Sequence, residues 1–370
     1  MSDPFALSQR VVVKIGSSLL VDEAGDLRAA WLQSLARDVA RLRAARRDVI
    51  LVSSGAIALG RSVLHLPPGP LRLEEKQAAA AVGQIALAHA YQAALGEVGL
   101  GCAQLLLTLD DTEHRRRYLN ARATIETLLR LGAVPVVNEN DTVATTEIRF
   151  GDNDRLSARV AIMALADTLV LLSDVDGLYT ADPNRDPAAA HIGEVEAVTP
   201  AVEAMATGVS TAVGTGGMVS KLVAARMATR AGCAVLIGDG RPSCPLDRLT
   251  QGGRHTRFAP QSSPRRAKKD WIAAALAPLG TVVVDDGAVA ALRAGRSLLP
   301  AGVVAVEGTF ARGDAVLVKD RTGRALAKGL SAYDAGDALR IAGQRSETIE
   351  AILGFRGRDE LIHRDHLVLL

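Results

Sequence analysis

The sequence predicts an α/β protein with a largely parallel central sheet, helices on both of its faces, and a small β-rich domain at the C-terminal end. Three observations predict this. Short β-branched and apolar runs alternate with helical stretches from Val11 to Ile237. Gly, Ser, Asn or Asp clusters follow those runs repeatedly. Beyond Gly280 the elements become short and strand-rich.

The runs Val11–Ile15, Val49–Val52, Ala103–Leu109, Ala133–Val137, Thr168–Leu172 and Ala234–Ile237 read as buried strands. They are near-continuously apolar, as strands covered on both faces are. Leu32, Leu35, Val39 and Leu42 recur at helical spacing. Ala78–Leu95, Leu119–Leu131, Leu156–Leu165 and Val219–Ala231 also read as helices. Gly83 costs helix stability, so close packing is the reason expected for it. Arg254–Lys269 is basic, contains Pro260 and Pro264, and reads as a solvated segment before a boundary. Val282–Val284 and Val303–Val306 read as strands flanking a helix at Val289–Arg293. Ala315–Val318 and Ala325–Ala327 read as a hairpin around Asp320–Gly323. The division expected is a domain over 1–260, a linker over 261–279 and a domain over 280–370.

With 370 residues the chain has room for two domains, at roughly 150 residues each. A net charge of +2 gives no general support to nucleic-acid binding. Cys102, Cys233 and Cys244 form no C-x-x-C pair, and His65, His89, His114 and His191 have no metal-ligand spacing. Neither a disulfide framework nor a zinc site is indicated, and no residue is assigned to a metal. No basic stretch leads into an apolar one at Met1–Arg10, and no run approaches the ~20 apolar residues of a membrane span. A cytoplasmic protein is expected.

In such sheets ligands bind beyond the carboxyl ends of the strands. Lys14 ends the first apolar run, just before Gly16–Ser17–Ser18. Such a lysine either reaches solvent or meets an anionic partner. Gly214–Thr215–Gly216–Gly217–Met218–Val219–Ser220–Lys221 opens a helix. Glycines let backbone approach an anion, and the lysine adds a point charge, although the spacing is not that of a P-loop. Two lysines at one sheet edge suit phosphoryl transfer, which needs positioning and charge neutralisation. Ser53–Ser54–Gly55–Ala56 runs from a strand into a helix and is either a plain cap or a carboxylate cradle. Asn138–Glu139–Asn140–Asp141 and Gly151–Asp152–Asn153–Asp154 suit turns, an ammonium group, a lysine or Mg²⁺ equally.

Taken together, K-I-G-S-S at Lys14–Ser18, S-S-G-A-I-A at Ser53–Ala58, V-N-E-N-D at Val137–Asp141, G-D-N-D at Gly151–Asp154, L-Y-T-A-D-P at Leu178–Pro183 and G-T-G-G-M at Gly214–Met218 resemble the amino acid kinase family. The match runs in order over about residues 10–260. Gly280–Gly287 and Val306–Asp314 resemble the PUA domain that many of these kinases carry. The N-E-N-D/G-D-N-D pair and the appended domain point within the family to members acting on glutamate, rather than on aspartate, N-acetylglutamate, carbamate or a nucleotide.

The resemblance implies ATP-dependent phosphorylation of the glutamate γ-carboxylate with Mg²⁺. Lys14 and Lys221 would flank the transferred phosphoryl group, and Asp152 would organise them. Ser54, Gly55, Asp141, Asn153 and Asp154 would bind glutamate, Asp141 facing its α-ammonium. Ser173, Asp174, Thr215, Gly216, Gly217, Met218, Val219, Ser220 and Lys221, with Lys14, would bind the nucleotide. Ser173 and Ser220 stand where the family pattern usually has Thr, which keeps the hydroxyl. The γ-carboxylate is already ionised at neutral pH, so no general base is required. The resemblance also implies inhibition by proline, a homo-oligomer and a reductase that consumes the acyl phosphate. An RNA-binding reading of the C-terminal domain has only Phe310, Tyr333 and Phe355 for base stacking, so a nucleic-acid partner is not expected.

Overall fold

The computed structural model describes residues 3–143, 152–183, 185–206, 217–275 and 277–370. The chain divides into two units, Met1–Glu113 with Asn120–Pro264, and His114–Leu119 with Arg265–Leu370.

The first unit is built on an eight-stranded sheet. In chain order its strands are β1 (Arg10–Ile15), β2 (Asp48–Ser53), β3 (Cys102–Leu107), β4 (Val134–Glu139), β5 (Thr168–Ser173), β8 (Glu194–Val195), β9 (Ala234–Asp239) and β10 (His255–Phe258). A separate two-stranded hairpin joins β6 (Leu178–Tyr179) to β7 (His191–Ile192). The order across the sheet is β3-β4-β2-β1-β5-β9-β10-β8. The first six of these pair in parallel, and β10 runs antiparallel to β9. The chain leaves β1 for β2 on one side and reaches β5 on the other only later. That places a topological switch point at the carboxyl end of β1.

Both faces of the sheet are covered. Val11, Val13 and Ile15 join Val49, Leu51, Val170 and Leu172 in one core with the helices Ala29–Ala44 and Leu73–Glu97. Val12, Ile50, Val52, Leu169 and Leu171 alternate with these and are equally buried. The helix Asp152–Met163 packs against β1, β2 and β5, and against the helix Met218–Arg230. Gly83 has the packing reason expected of it. A Cβ there would lie 1.8 Å from the carbonyl oxygen of Ala56, and one on Gly60 would lie 1.8 Å from that of Ala79. The helices Ala56–Val63 and Leu73–Glu97 therefore cross with backbones touching.

One expectation is corrected. The basic stretch 254–269 is not simply solvated. Thr256 and Phe258 of β10 are buried while His255 and Arg257 are half-exposed, and Pro264–Ala275 is helical. Alternation over four residues, with the basic ones on the wetter face, hides the strand from composition.

The second unit has a five-stranded sheet, β11 (Gly280–Val284), β12 (Val303–Gly308), β13 (Ala315–Lys319), β14 (Ala325–Leu330) and β15 (Leu367–Leu369), ordered β12-β11-β13-β14-β15. β13 and β14 form the expected hairpin. Ile272 of the helix Pro264–Ala275 packs on Ala315 and Leu330, so part of the 261–279 segment belongs to this unit. Phe310 and Tyr333 lie in its core, while Phe355 is exposed.

Candidate active site

Strand register gathers the site. Ile15 stands beside Ser53 and Leu172, and Leu172 beside Gly238. The segments that follow β1, β2, β5 and β9 therefore leave the sheet along one edge.

Lys14 alternates with Val13 and Ile15, so its side chain points to the face covered by Asp152–Met163 and Met218–Arg230. There it meets Asp154. The Lys14 Nζ lies 2.7 Å from Asp154 Oδ1, and the Lys221 Nζ lies 3.6 Å from Asp154 Oδ2. Ser220 Oγ donates to the same Oδ2 at 2.6 Å and lies 2.9 Å from the carbonyl oxygen of Gly217. Lys14 and Lys221 are 7% and 5% exposed, and Asp154 is fully buried. The two ammoniums converge on one carboxylate. Burial alone would raise the Asp154 carboxyl, but Lys14 and Lys221 outweigh it and hold it below the usual carboxylate range. Burial pulls the Lys221 ammonium below the ordinary lysine value, with Asp154 offsetting only part of the effect.

Asp154 is thus not a substrate contact as expected. It has no exposed surface, and its oxygens are taken by the lysines and Ser220. Asp154, two positions beyond Asp152 on the same helix, is the carboxylate that both lysines meet. Asp152 opens that helix, and its side chain lies outside the described residues.

A second group lies beside this one. Gly55 has φ of +100°, a left-handed backbone that turns β2 directly into the helix Ala56–Val63. Ser54 is thereby presented to Asn153, whose Nδ2 lies 2.7 Å from Ser54 Oγ and 3.1 Å from the carbonyl oxygen of Ser53. The same nitrogen is 3.3 Å from Asn138 Oδ1. Asn138 Nδ2 in turn donates to Gln84 Oε1 at 2.7 Å. Asn153 Oδ1 is buried without a hydrogen-bond partner among the described residues. A buried amide oxygen in that state is open to a donor from water or a ligand. Asp141 is half-buried on the turn that follows β4. Asn138 and Gln84 were not among the expected contacts. Asn138 stood inside a cluster read for its carboxylates, and Gln84 looked like any polar residue of a helix.

On the other side, Ser173 ends β5 and donates to Asp174 Oδ1 at 2.9 Å. Asp174 is exposed and adds a favourable field at Lys221. A cleft of about 240 Å³ is lined by Ser18, Leu19, Arg28, Asp174 and Arg241. Gly217 is the N-cap of the helix that carries Met218, Val219, Ser220 and Lys221. Val219 is exposed, in contrast to the buried Lys221. Thr215 and Gly216 lie outside the described residues. Among the described residues no three His, Cys, Asp or Glu side chains cluster to hold a metal.

The model of the amino acid kinase family matches residues 9–239, and that of the PUA domain matches 280–353. A glutamate 5-kinase of Paramagnetospirillum magneticum is 61% identical over 99% of this chain and 99% of its own length. Another, from Rhodospirillum rubrum, is 61% identical over 97% of this chain and 96% of its own. Among solved structures, carbamate kinase from Giardia lamblia bound to AMP-PNP aligns with a TM-score of 0.50 at 15% identity, over 68% of this chain and 99% of that one. That likeness concerns the fold alone.

Proposed function

The chain belongs to the amino acid kinase family, and on that premise we propose that it transfers the γ-phosphoryl group of ATP to the γ-carboxylate of L-glutamate. The products are ADP and γ-glutamyl phosphate, and the reaction opens proline biosynthesis, as the name shared by its relatives implies. The observation that carries the proposal is the convergence of Lys14 and Lys221 on Asp154 at the carboxyl ends of the strands, with Asn153, the next residue to Asp154, bonded to Ser54 and Asn138.

A γ-carboxylate oxygen forms a bond to the γ-phosphorus while the bond to the β,γ-bridging oxygen breaks, and ADP leaves with that electron pair. No proton moves at the attacking group, because the carboxylate is ionised at neutral pH. Lys14 and Lys221 face the charge that spreads over the phosphoryl oxygens. Asp154 keeps both ammoniums in place before the substrates arrive, so little reorganisation remains at the moment of transfer. Asn153, Ser54 and Asn138 offer a glutamate pocket, with Asn153 Oδ1 open to its ammonium and Asp141 the nearby carboxylate for the same group. Ser173, Asp174 and the Gly217–Lys221 turn bound the nucleotide, with Thr215 and Gly216 assigned there by resemblance.

Mg²⁺ would accompany the nucleotide. Asp174, the exposed carboxylate at the cleft, would be the side chain to hold it, with phosphate and water oxygens completing its shell. Bound there, it would neutralise charge on the β- and γ-phosphates.

The same proposal includes a cytoplasmic homo-oligomer, inhibition by proline as end product, and a reductase that takes up the unstable acyl phosphate. No described helix is long and apolar enough to cross a membrane. No nucleic-acid partner is included; of the three aromatics available for stacking, Phe310 and Tyr333 are buried and Phe355 is exposed.

A hydroxylamine trap tests the reaction. The enzyme with ATP and glutamate should yield a hydroxamate, and the same enzyme with aspartate or N-acetylglutamate should not. Hydroxamate from either of those acids in place of glutamate would refute the substrate.

A further inference from the structure

The helix Ala29–Ala44 carries a polar stripe where its spacing would suit apolar core. Trp31, Ser34 and Asp38 are 7%, 0% and 2% exposed. They lie at i, i+3 and i+7, on one face. Each of the three makes a hydrogen bond to backbone of the segment that follows β9, while Ser34 Oγ also donates to the Trp31 carbonyl oxygen and Asp38 Oδ1 pairs with Arg41. The Trp31 indole Nε1–H donates to the carbonyl oxygen of Gly240 at 2.7 Å. Ser34 Oγ accepts from the Cys244 amide at 3.0 Å. Asp38 Oδ2 accepts from the Leu246 amide at 2.8 Å and lies 3.4 Å from that of Asp247. Buried polar groups are costly unless bonded, so such a stripe gives position rather than cheap burial.

The segment it holds walls the cleft. The Gly240 amide donates to the carbonyl oxygen of Ser173 at 2.7 Å, which ties the turn to the end of β5. A Cβ on Gly240 would sit 2.4 Å from Leu19 Cδ1 and 3.0 Å from Leu172 Cβ, so the turn is wedged between the segment after β1 and the end of β5. The next residue, Arg241, is held by Asp239 through two bonds of 2.9 Å and lines the cleft opposite Asp174.

We infer that Trp31 is a positioning residue for the nucleotide: its indole N–H fixes the Gly240–Arg241 turn that closes one side of the cleft. This rests on the reading of that cleft as the ATP site. Trp31 touches no reacting atom. It acts through the backbone of Gly240.

The chain has two tryptophans, Trp31 and Trp271, which gives two independent tests. Trp31→Phe removes the N–H and keeps most of the apolar bulk. Its KM for ATP should rise roughly threefold to tenfold, the size of one net hydrogen bond, while its KM for glutamate stays within about twofold. A folded Trp31→Phe enzyme with an unchanged ATP KM overturns the inference, and so does an equal rise for both substrates. If that variant does not fold, Trp271→Phe decides, because it leaves Trp31 as the sole tryptophan. ADP should shift its emission and glutamate should not. ADP binding seen by calorimetry with silent Trp31 emission overturns this inference alone. No ADP binding to the unmodified enzyme overturns the kinase reading as well.

Discussion

The Lys14 ammonium sits 2.7 Å from Oδ1 of Asp154, a carboxylate with no exposed surface. A cation at a strand end is thereby tied to the first turn of a helix distant in sequence. Lys221 reaches the other oxygen of the same group at 3.6 Å. Asp154→Asn should keep the shape and remove the charge that both lysines share. Turnover should fall by about a hundredfold or more, as when a preorganised electrostatic group is lost. Stability should fall by about 3 kcal/mol, because two buried ammoniums lose their partner. Steady-state rates and urea unfolding measure the two effects, and an active, equally stable variant would contradict the role.

The carboxyl of Asp154 is held below its usual range in the folded protein. Its stabilising contribution is therefore complete above the unfolded carboxylate value of about 3.9 and disappears as pH falls through the lower, folded value. Unfolding followed below pH ~4 should steepen in the wild type and flatten in Asp154→Asn. At the other end, Lys221 should lose its proton before an ordinary lysine would. Turnover should then decline on the alkaline side below the usual lysine range. In Lys221→Arg, the remaining activity should lack that decline, since guanidinium does not deprotonate there.

Asp141→Ala should raise the glutamate KM more than the ATP KM. The residue is half-buried on the turn after β4, three positions beyond Asn138. A larger change for ATP would place it in the wrong pocket.

Gly83→Ala swaps in the better helix former by about 1 kcal/mol. It should nevertheless destabilise the protein by about 2 kcal/mol or more, because the new Cβ would lie 1.8 Å from the carbonyl oxygen of Ala56. A denaturant midpoint that stays put or rises would show that the two helices have room to part.

Much of this could be read in the residues. Lys14 stood out because an apolar strand ends in a charge, and Lys221 because a glycine-rich stretch precedes it. Gly83 announced a close approach. The choice between Asp152 and Asp154 was not legible. That Asp154 meets both lysines depends on where its helix starts and how that helix approaches β1, which two like carboxylates two positions apart do not report. The burial of Lys221 was hidden as well. It sits on the second turn of its helix rather than in a loop, so its stem is part of the packing. β10 was masked by the basic residues on its wetter face. The link from Asn138 to Gln84 and the link from Trp31 to Gly240 depend on tertiary approach, which periodicity does not report.

The central claim is that Lys14 and Lys221 act as one device on a single phosphoryl group. Single-turnover phosphoryl transfer from labelled ATP to glutamate should be measured for Lys14→Met, Lys221→Met and the double variant, each of which keeps an apolar stem. Groups that act as a unit are strongly non-additive, so the double variant should be about as slow as the slower single one. A double loss equal to the product of the two single losses would show two independent lysines and contradict the account.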